Sequence, residues 1–169
     1  MRAMKRLFIL DFDNTVVLNP NYSSFIHLPL IGRLLPRKYL IASGAERVIG
    51  ELKRRGDFVV ILTKTTVLPV KRKMVKVRES GFEEMVDDVV VVRRKTPKVV
   101  RAIIERFPAE KAYMVGNSYR NDVEVALKSG ITAVYIPRGR GESRKLLEKG
   151  GIREKVVVLD RFEEILALP

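Results

Sequence analysis

The sequence of 169 residues contains no cysteine and no tryptophan, and its single histidine is His27. Without cysteine, disulfides, thiol nucleophiles, zinc ribbons and iron–sulfur clusters are excluded. One histidine rules out a metal site built from several histidines, and a Ser-His-Asp site would have to use His27. Acidic residues are also few, with 20 against 33 lysines and arginines. Any catalysis is therefore expected to depend on carboxylates.

Long apolar runs are absent as well. No stretch reaches the roughly 20 residues that cross a membrane, and the apolar run before Asp11 is too short for a signal peptide. We therefore expect a cytoplasmic protein without membrane contact. The net charge of +13 predicts attraction to anions such as phosphates or nucleic acid, without choosing between them. Glutamine is missing while Lys, Arg, Glu and Val abound, a bias found in proteins from hot environments.

Length and an apolar content of 46% predict one domain over residues 1–169. Short runs rich in β-branched residues alternate with amphipathic helical patterns. The predicted strands are Arg6–Leu10, Phe58–Leu62, Val89–Val92, Ala112–Val115, Thr132–Ile136 and Val156–Leu159. The predicted helices are Glu46–Arg55, a face of Val67, Val70, Met74 and Val77, a stripe from Val99 to Phe107, Asp122–Ser129, Glu142–Lys149 and Phe162–Leu166. This alternation predicts an α/β fold with a doubly wound, mainly parallel sheet.

One segment, Val16–Ser43, interrupts the alternation. It contains three prolines and several basic residues but no acidic side chain. We expect a small insertion after the first strand, within the single domain. It is either a helical pair packed on the sheet edge or on another subunit, or a lid over a site at that strand end. Packing on another subunit would make the protein a homo-oligomer, and the oligomeric state stays open.

Polar residues follow the predicted strands at their carboxyl ends, where open parallel sheets bind ligands. They are Asp11, Asp13 and Asn14, then Thr63, then Lys95, and last Asn117 and Asp122. Asp11 and Asp13 point the same way if the chain stays extended, and two close carboxylates need a cation such as Mg²⁺. The alternative is a turn in which both bond backbone amides. Thr63 can donate to a phosphate oxygen, or it is a helix cap or a packing residue.

Lys95 lies where an ammonium would neutralise a phosphate. Lys98 is the competing residue, but it would lie in the first turn of a helix, where a cation opposes the helix dipole. We favour Lys95 because it is nearer the strand end. Gly116 allows a tight turn, after which Asn117 and Asp122 bring oxygens back toward the first strand. The alternative for Asn117 is helix capping.

Together these segments resemble the motifs of the haloacid dehalogenase (HAD) superfamily of aspartate-nucleophile phosphohydrolases. The similarity extends from Lys5 to about Arg138. The segments similar to the four motifs are Asp11-Phe12-Asp13-Asn14-Thr15, Ile61-Leu62-Thr63, Lys95, and Gly116 to Asp122. Their order and their placement at strand ends agree with the family, so the resemblance implies a Rossmann-like HAD core.

The resemblance implies a Mg²⁺-dependent phosphatase that cleaves a phosphate monoester through an aspartyl-phosphate. Asp11 would be the nucleophile, and Asp13 would be the general acid and base. The phosphate-binding residues would be Thr63, Lys95 and Asn14. The metal ligands would be Asp11, Asp13 through its backbone carbonyl, Asp122 and Asn117. The carboxylate at position 13 disfavours a dehalogenase, whereas a phosphomutase stays open.

One position departs from the family. Asn117 stands where most relatives have aspartate, so the metal site keeps a neutral oxygen and lacks one negative charge. We therefore expect an active enzyme with a weaker affinity for Mg²⁺.

Three functions remain open at this point. The first is a phosphatase for a small phosphorylated metabolite, which we favour. The second is the same chemistry on a phosphorylated polymer such as a nucleic-acid end, suggested by the charge of +13 and by a basic run, which otherwise is a solvated helix face. The run contains Lys71, Arg72, Lys73, Lys76 and Arg78. The third is a binding module that has lost its activity, which the asparagine at position 117 would indicate.

Overall fold

The computed structural model describes residues 4–18, 40–138 and 153–169, together with positions 145 and 148. In these residues a six-stranded parallel sheet carries helices on both faces, so the predicted α/β class is confirmed. The strands are β1 (Arg6–Leu10), β2 (Val17–Leu18), β3 (Leu40–Ile41), β4 (Phe58–Lys64), β5 (Asp88–Val92), β6 (Lys111–Gly116), β7 (Thr132–Tyr135) and β8 (Val156–Val158). The helices are α1 (Ala45–Arg54), α2 (Val70–Glu79), α3 (Pro97–Arg106) and α4 (Glu124–Lys128).

Strand β1 lies in the middle of the sheet, in the order β5-β4-β1-β6-β7-β8. Its side chains alternate between two apolar cores, as the pleat of a strand requires. Phe8 and Leu10 pack in the core beneath α1, whereas Leu7 and Ile9 pack in the core beneath α3 and α4. Both faces of β1 are buried, which explains why its sequence is continuously apolar.

The connections place a switch point between β1 and β6. From β1 the chain proceeds through β4 to β5 at one edge, whereas from β6 it proceeds through β7 to β8 at the other. Adjacent strands whose connections leave in opposite directions open a crevice at their carboxyl ends. The residues that follow β1 and β6 therefore face the same crevice.

The helix after β4 differs from its predicted pattern. Pro69 precedes the first turn of α2, and Val67 lies outside the helix with 89% of its surface exposed. The side chains that α2 buries are Lys73 and Val77, while Val70 is exposed. The predicted apolar face was therefore wrong in part, because a charged side chain takes one of the inward positions.

Other elements differ in their length or type. A π-type turn over Tyr119–Val123 precedes α4, and Phe162–Ala167 is a 3₁₀ helix. The two ends of the insertion over residues 16–43 pair as the antiparallel strands β2 and β3. The rest of that segment, with His27, lies outside the described residues, as does most of the predicted helix 142–149.

Among the described helices, none has the length and apolar character that crossing a bilayer needs.

Candidate active site

The chain turns sharply where β1 ends. The Asp11 amide still donates to the Val115 carbonyl of β6 at 2.8 Å, so position 11 continues the ladder. The Phe12 carbonyl then accepts from the Val17 amide at 3.0 Å, and Asn14 has a φ of 60°. This left-handed residue reverses the chain within the turn. As a result, the extended geometry that would aim both aspartates the same way ends after Asp11.

Asp11, Lys95 and Asp122 form one group, which we call the Asp11 cluster. The Lys95 ammonium donates to Asp11 Oδ1 at 2.5 Å and to Asp122 Oδ1 at 2.7 Å. The Thr15 hydroxyl donates to Asp11 Oδ2 at 3.0 Å and is fully buried. All four residues are buried. The group therefore brings two carboxylates onto one cation at the switch point of the sheet.

Burial and the neighbouring charges shift the pKa values of Asp11 and Lys95. Burial raises the pKa of Asp11 to about 6, an effect that Lys95 opposes and Asp122 reinforces. Burial lowers the pKa of Lys95, but the two carboxylates outweigh it, so the pKa of Lys95 is raised. Lys95 therefore stays an ammonium, and at neutral pH Asp11 is ionised mostly.

The approach of Asp122 depends on Gly116 at the end of β6. A β-carbon built on Gly116 would lie 2.2 Å from the Asp122 carboxyl carbon. No side chain could occupy that space without moving Asp122. The Ser118 amide donates to Asp122 Oδ2 at 3.0 Å and fixes the second carboxylate oxygen. The glycine expected to allow a tight turn thus also makes room for the carboxylate.

Asp13, Lys73 and Lys76 form a second group, which we call the Asp13 cluster. The Lys73 ammonium contacts Asp13 Oδ2, and the Lys76 ammonium lies 3.1 Å from Oδ1. Lys73 also lies over the Phe12 ring, 5.3 Å from its centre. The Thr63 hydroxyl donates to Asp13 Oδ2 at 3.4 Å. Asp13 thus faces α2, away from the carboxylate pair that shares Lys95.

Lys73 and Lys76 reverse the effect that burial has on the pKa of Asp13. Burial alone would raise the pKa of this carboxyl, but Lys73 and Lys76 outweigh it and hold the pKa below its usual range. Burial lowers the pKa of Lys73, and Asp13 offsets part of that shift. Asp11 and Asp13 stand two positions apart in sequence, yet their pKa values shift in opposite directions.

A cleft joins the two clusters. Asn14 and Asn117 line it, together with Lys64, whose ammonium donates to Asn121 Oδ1 at 3.1 Å. Asn117 itself is buried. The complete lining consists of Asp11, Asp13, Asn14, Lys64, Thr66, Lys95, Asn117, Ser118, Asn121 and Asp122. Polar oxygens and ammonium groups thus converge where a phosphate and a metal could be held.

Most residues singled out from the sequence lie in or beside this cleft. Lys95 is buried in the Asp11 cluster, whereas its competitor Lys98 is exposed on α3. Thr63 differs, because it is fully buried, its hydroxyl contacts Asp13, and it does not line the cleft. Its role in binding phosphate stays a prediction, as do the roles of the others.

The contacts of three residues were not predicted from the sequence. Lys73 and Lys76 were considered only as members of a basic run, and Thr15 only as part of a motif. Lys73 could have been noticed from position, because it precedes the inward Val77 by one helical turn. Its partner is 60 positions away in sequence, and no local pattern shows such a contact.

The donor set of the cleft fits Mg²⁺. Among the described residues, no three His, Cys, Asp or Glu side chains form a metal cluster. Asp11 and Asp122 nevertheless both reach one cation, and the Asn117 side chain adds an amide to the same cleft. Mg²⁺ is commonly held in this way, by one or two carboxylates with substrate phosphates and waters. These oxygens are the appropriate hard ligands.

Comparison with known proteins agrees with this geometry. Residues 91–165 match the model of a family described as HAD-hydrolase-like. No curated protein matches the sequence significantly.

Solved structures also match, several of them over nearly the whole chain. A haloacid dehalogenase-like family hydrolase from Xanthomonas campestris is 16% identical, with a TM-score of 0.67 over 98% of this chain and 94% of that one. A D,D-heptose 1,7-bisphosphate phosphatase from B. bronchiseptica, in complex with magnesium and phosphate, is 19% identical, with a TM-score of 0.66 over 95% and 96%. A HAD phosphatase from Thermococcus onnurineus is 27% identical, with a TM-score of 0.52 over 67% and 59%.

Proposed function

The chain belongs to the haloacid dehalogenase superfamily of hydrolases, and we propose that it is a Mg²⁺-dependent phosphatase acting on a small phosphate monoester. The observation that carries the proposal is the Asp11 cluster, in which two buried carboxylates share one ammonium. The similarity to phosphatases, one of them in complex with magnesium and phosphate, supports it.

Asp11 is the proposed nucleophile. The Thr15 hydroxyl binds Oδ2 and the Lys95 ammonium binds Oδ1, so the carboxylate is held in one orientation. Its pKa of about 6 keeps it ionised at neutral pH. Attack by a carboxylate oxygen on phosphorus forms an aspartyl-phosphate and releases the alcohol. Lys95 stabilises negative charge on the transferring group from the same position.

Asp13 is the proposed general acid and base. It would protonate the leaving oxygen and then take a proton from the water that hydrolyses the aspartyl-phosphate. Lys73 and Lys76 keep the carboxyl ionised in the free site, the state that the second step requires. For the first step the carboxyl would have to take up a proton from solvent when the anionic phosphate of the substrate enters and raises its pKa. Thr63 donates to the same carboxylate and orients it.

Asp11, Asp122, Asn117 and the Asp13 backbone carbonyl would hold Mg²⁺, and Asn14 at the turn would contact the phosphate. When bound, the ion supplies positive charge that offsets the charge on the transferring phosphoryl group.

The experiment is hydrolysis of 4-nitrophenyl phosphate with Mg²⁺. We expect Asp11→Asn to lower turnover on the order of 10⁴-fold or more, because the nucleophile is lost. A chelator should abolish turnover in the wild type. Asp160→Asn is the matched control, since Asp160 is exposed at the end of β8, and it should leave turnover unchanged. Activity that survives both Asp11→Asn and the chelator would exclude the proposed mechanism, whereas a wild type without turnover would favour a binding module.

A phosphorylated polymer is the second candidate substrate, and the net charge of +13 favours it. Lys71, Arg72 and Arg78 are exposed on α2 and could contact a nucleic-acid backbone. Binding to a 5′-phosphorylated oligonucleotide that weakens steeply with salt would support an electrostatic contact. A cytoplasmic location, the absence of a membrane partner and a homo-oligomer formed through the insertion likewise stay predictions.

A further inference from the structure

Strand β5 forms one edge of the parallel sheet, and its outer side pairs with no strand that the structure describes. All five of its residues, Asp88–Val92, are half-buried, whereas the interior residues of β4 are buried. The Val92 carbonyl accepts from the Thr65 amide at 2.9 Å and therefore points toward β4. Because alternate residues of a strand bond to the same neighbour, Val89 and Val91 turn their backbone amides and carbonyls to the outer side. Such a row of unpaired groups is a template for another strand.

Features that usually prevent pairing at a sheet edge are absent from β5. Native edges often carry a lysine, a proline or a bulge, whereas β5 is one aspartate followed by four valines in unbroken register with β4. Val89 packs against one apolar core, and Val90 and Val92 pack against the other. Val91 is a member of neither core as the described residues define them. Its half-buried, β-branched side chain is therefore available to a neighbouring strand, a position that such side chains favour.

The two ends of β5 carry opposite charges. Asp88 begins the strand, and Arg93 and Arg94 follow its last valine and are exposed. Asp88 binds Arg106 at 2.8 Å through Oδ2, an ion pair whose arginine side chain is 61% exposed. An exposed pair of this kind contributes little to stability, and it leaves Oδ1 of the carboxylate to a second donor. The strand thus offers an acidic end, four valines and a basic end.

This order of charges is self-complementary when two copies of β5 run antiparallel. Residues opposite each other in such a pair point to the same face of the sheet, so a two-fold axis at Val91 places Val90 opposite Val92. The same register places Asp88 of each copy opposite Arg94 of the other, at both ends of the contact. A parallel arrangement would instead bring like charges together, which destabilises a pair of strands. The edge therefore selects a second copy of this chain in one orientation.

We propose that β5 is the interface of a homodimer, in which two six-stranded sheets join edge to edge. Val91 lies at the two-fold axis, and Asp88 pairs with Arg94 of the second copy. The interface is isologous, because each copy contributes the same strand, and the antiparallel order directs the two clefts toward opposite ends of the joined sheet. One strand buries a small area, so the dimer forms in a concentration-dependent equilibrium. The dimer does not depend on the phosphatase function.

Sedimentation equilibrium at physiological ionic strength tests the interface. For the wild type we expect the mass to rise from 19.3 kDa toward twice that value as the protein concentration increases. Val91→Lys places two ammonium groups opposite each other at the axis, and it should raise the dissociation constant about tenfold or more. Val158→Lys is the matched control, because Val158 is an exposed valine of β8, the strand at the other edge. It should leave the dissociation constant unchanged.

A charge exchange tests the register. Asp88→Arg and Arg94→Asp, made singly, each place like charges opposite each other at both ends of the contact, and each should raise the dissociation constant several-fold. The double variant restores opposite charges with their positions exchanged, and it should return the dissociation constant close to that of the wild type. Lys128→Asp is the control, because it makes the same change of net charge as Arg94→Asp at an exposed position of α4. If Val91→Lys does not fold, as judged by circular dichroism, these variants decide.

A wild type that stays monomeric at every concentration would overturn the dimer. A dimer that neither Val91→Lys nor the single charge reversals weaken would also overturn it, and would place the contact on another surface, such as the insertion over residues 16–43. Single reversals that weaken the dimer without recovery in the double variant would overturn the pairing of Asp88 with Arg94, as would an equal effect of Lys128→Asp. Hydrolysis of 4-nitrophenyl phosphate is measured separately, so neither the presence nor the absence of a dimer decides the phosphatase function.

Discussion

The Asp11 cluster and the Asp13 cluster are built from the same residue types in opposite proportions. In the first, two carboxylates share one ammonium, and in the second, two ammonium groups share one carboxylate. The pKa of Asp11 is raised and the pKa of Asp13 is lowered. The surroundings of an aspartate, and not its residue type, therefore decide the direction in which its pKa shifts. One cluster suits a metal cation, and the other suits an anion.

Removing the Lys95 ammonium from the Asp11 cluster should cause the largest change in the free energy of unfolding. Lys95→Met leaves two buried carboxylates without a counter-charge, and we expect the free energy of unfolding to fall by about 3–5 kcal/mol in chelator. Mg²⁺ should restore part of the loss. Urea denaturation with and without Mg²⁺ measures both. Lys98→Met, an exposed change on the same segment, is the control, and an equal loss in the two variants would contradict the assignment.

The opposite pKa shifts predict opposite dependences of stability on pH. With a folded pKa of about 6 against an ordinary 3.8, Asp11 keeps a proton that the unfolded chain has lost, so its contribution to stability falls as pH rises between about 4 and 6. The lowered pKa of Asp13 has the reverse sign. Its contribution is present above its ordinary pKa and is lost as pH falls below that value.

Urea unfolding in chelator from pH 3 to pH 7 checks this pair of signs. Relative to the wild type, Asp11→Asn should gain up to about 3 kcal/mol of stability as pH rises from 4 to 7. Asp13→Asn should show no such gain, and its deficit should shrink only in the acid range. If the stability of the two variants changed with pH in the same way, the opposite pKa shifts of Asp11 and Asp13 would be contradicted.

Gly116→Ala tests the space that the Asp11 cluster needs. Because the added carbon would lie 2.2 Å from the Asp122 carboxyl carbon, we expect a loss of about 1–3 kcal/mol together with reduced turnover. Gly50→Ala is the control, since nothing lies within 4 Å of its added carbon and alanine favours a helix interior by roughly 0.5–1 kcal/mol. Equal responses in thermal unfolding would mean that Asp122 moves without cost.

We expect the smallest effect from a substitution that adds a negative charge to the cleft. Asn117→Asp should strengthen Mg²⁺ binding about tenfold, equivalent to about 1.4 kcal/mol, as measured by the Mg²⁺ dependence of turnover. Asn121→Asp adds the same charge beside Lys64, and it should change the Mg²⁺ requirement less. An unchanged or weaker affinity in Asn117→Asp would show that this side chain is not a metal ligand.

The strands of this fold could be predicted because they are buried on both faces. Their apolar, β-branched runs need no partner to be recognised, and the polar residues that end them mark one edge of a parallel sheet. Asp11, Lys95 and Asp122 could therefore be found from sequence, although each comes from a different strand end. Their placement follows from the topology, which the alternation of elements already predicts.

Lys73 could not be found in the same way. It occupies an inward position of α2 only because Asp13 supplies a carboxylate there, and that partner is distant in sequence. The predicted apolar face of α2 was therefore wrong at Val67 and Val70, which are exposed, and right at Val77, which is buried. The turn that begins at Phe12, whose carbonyl accepts from the Val17 amide, also interrupts the extended geometry that would have aimed Asp11 and Asp13 together. Contacts that depend on tertiary charge pairing leave no periodic pattern.

The central position of β1 has a consequence for the order in which the molecule assembles. The strand that carries Asp11 precedes the other described strands in the sequence, yet one of its edges stays open until Lys111–Gly116 has been made and paired with it. Pairing across such a sequence separation slows folding, and an unpaired strand edge can recruit other chains. A nascent chain that has not reached β6 would therefore expose an apolar strand edge next to Asp11, and this edge would be covered only when the segment that also brings Asp122 to Lys95 has been made.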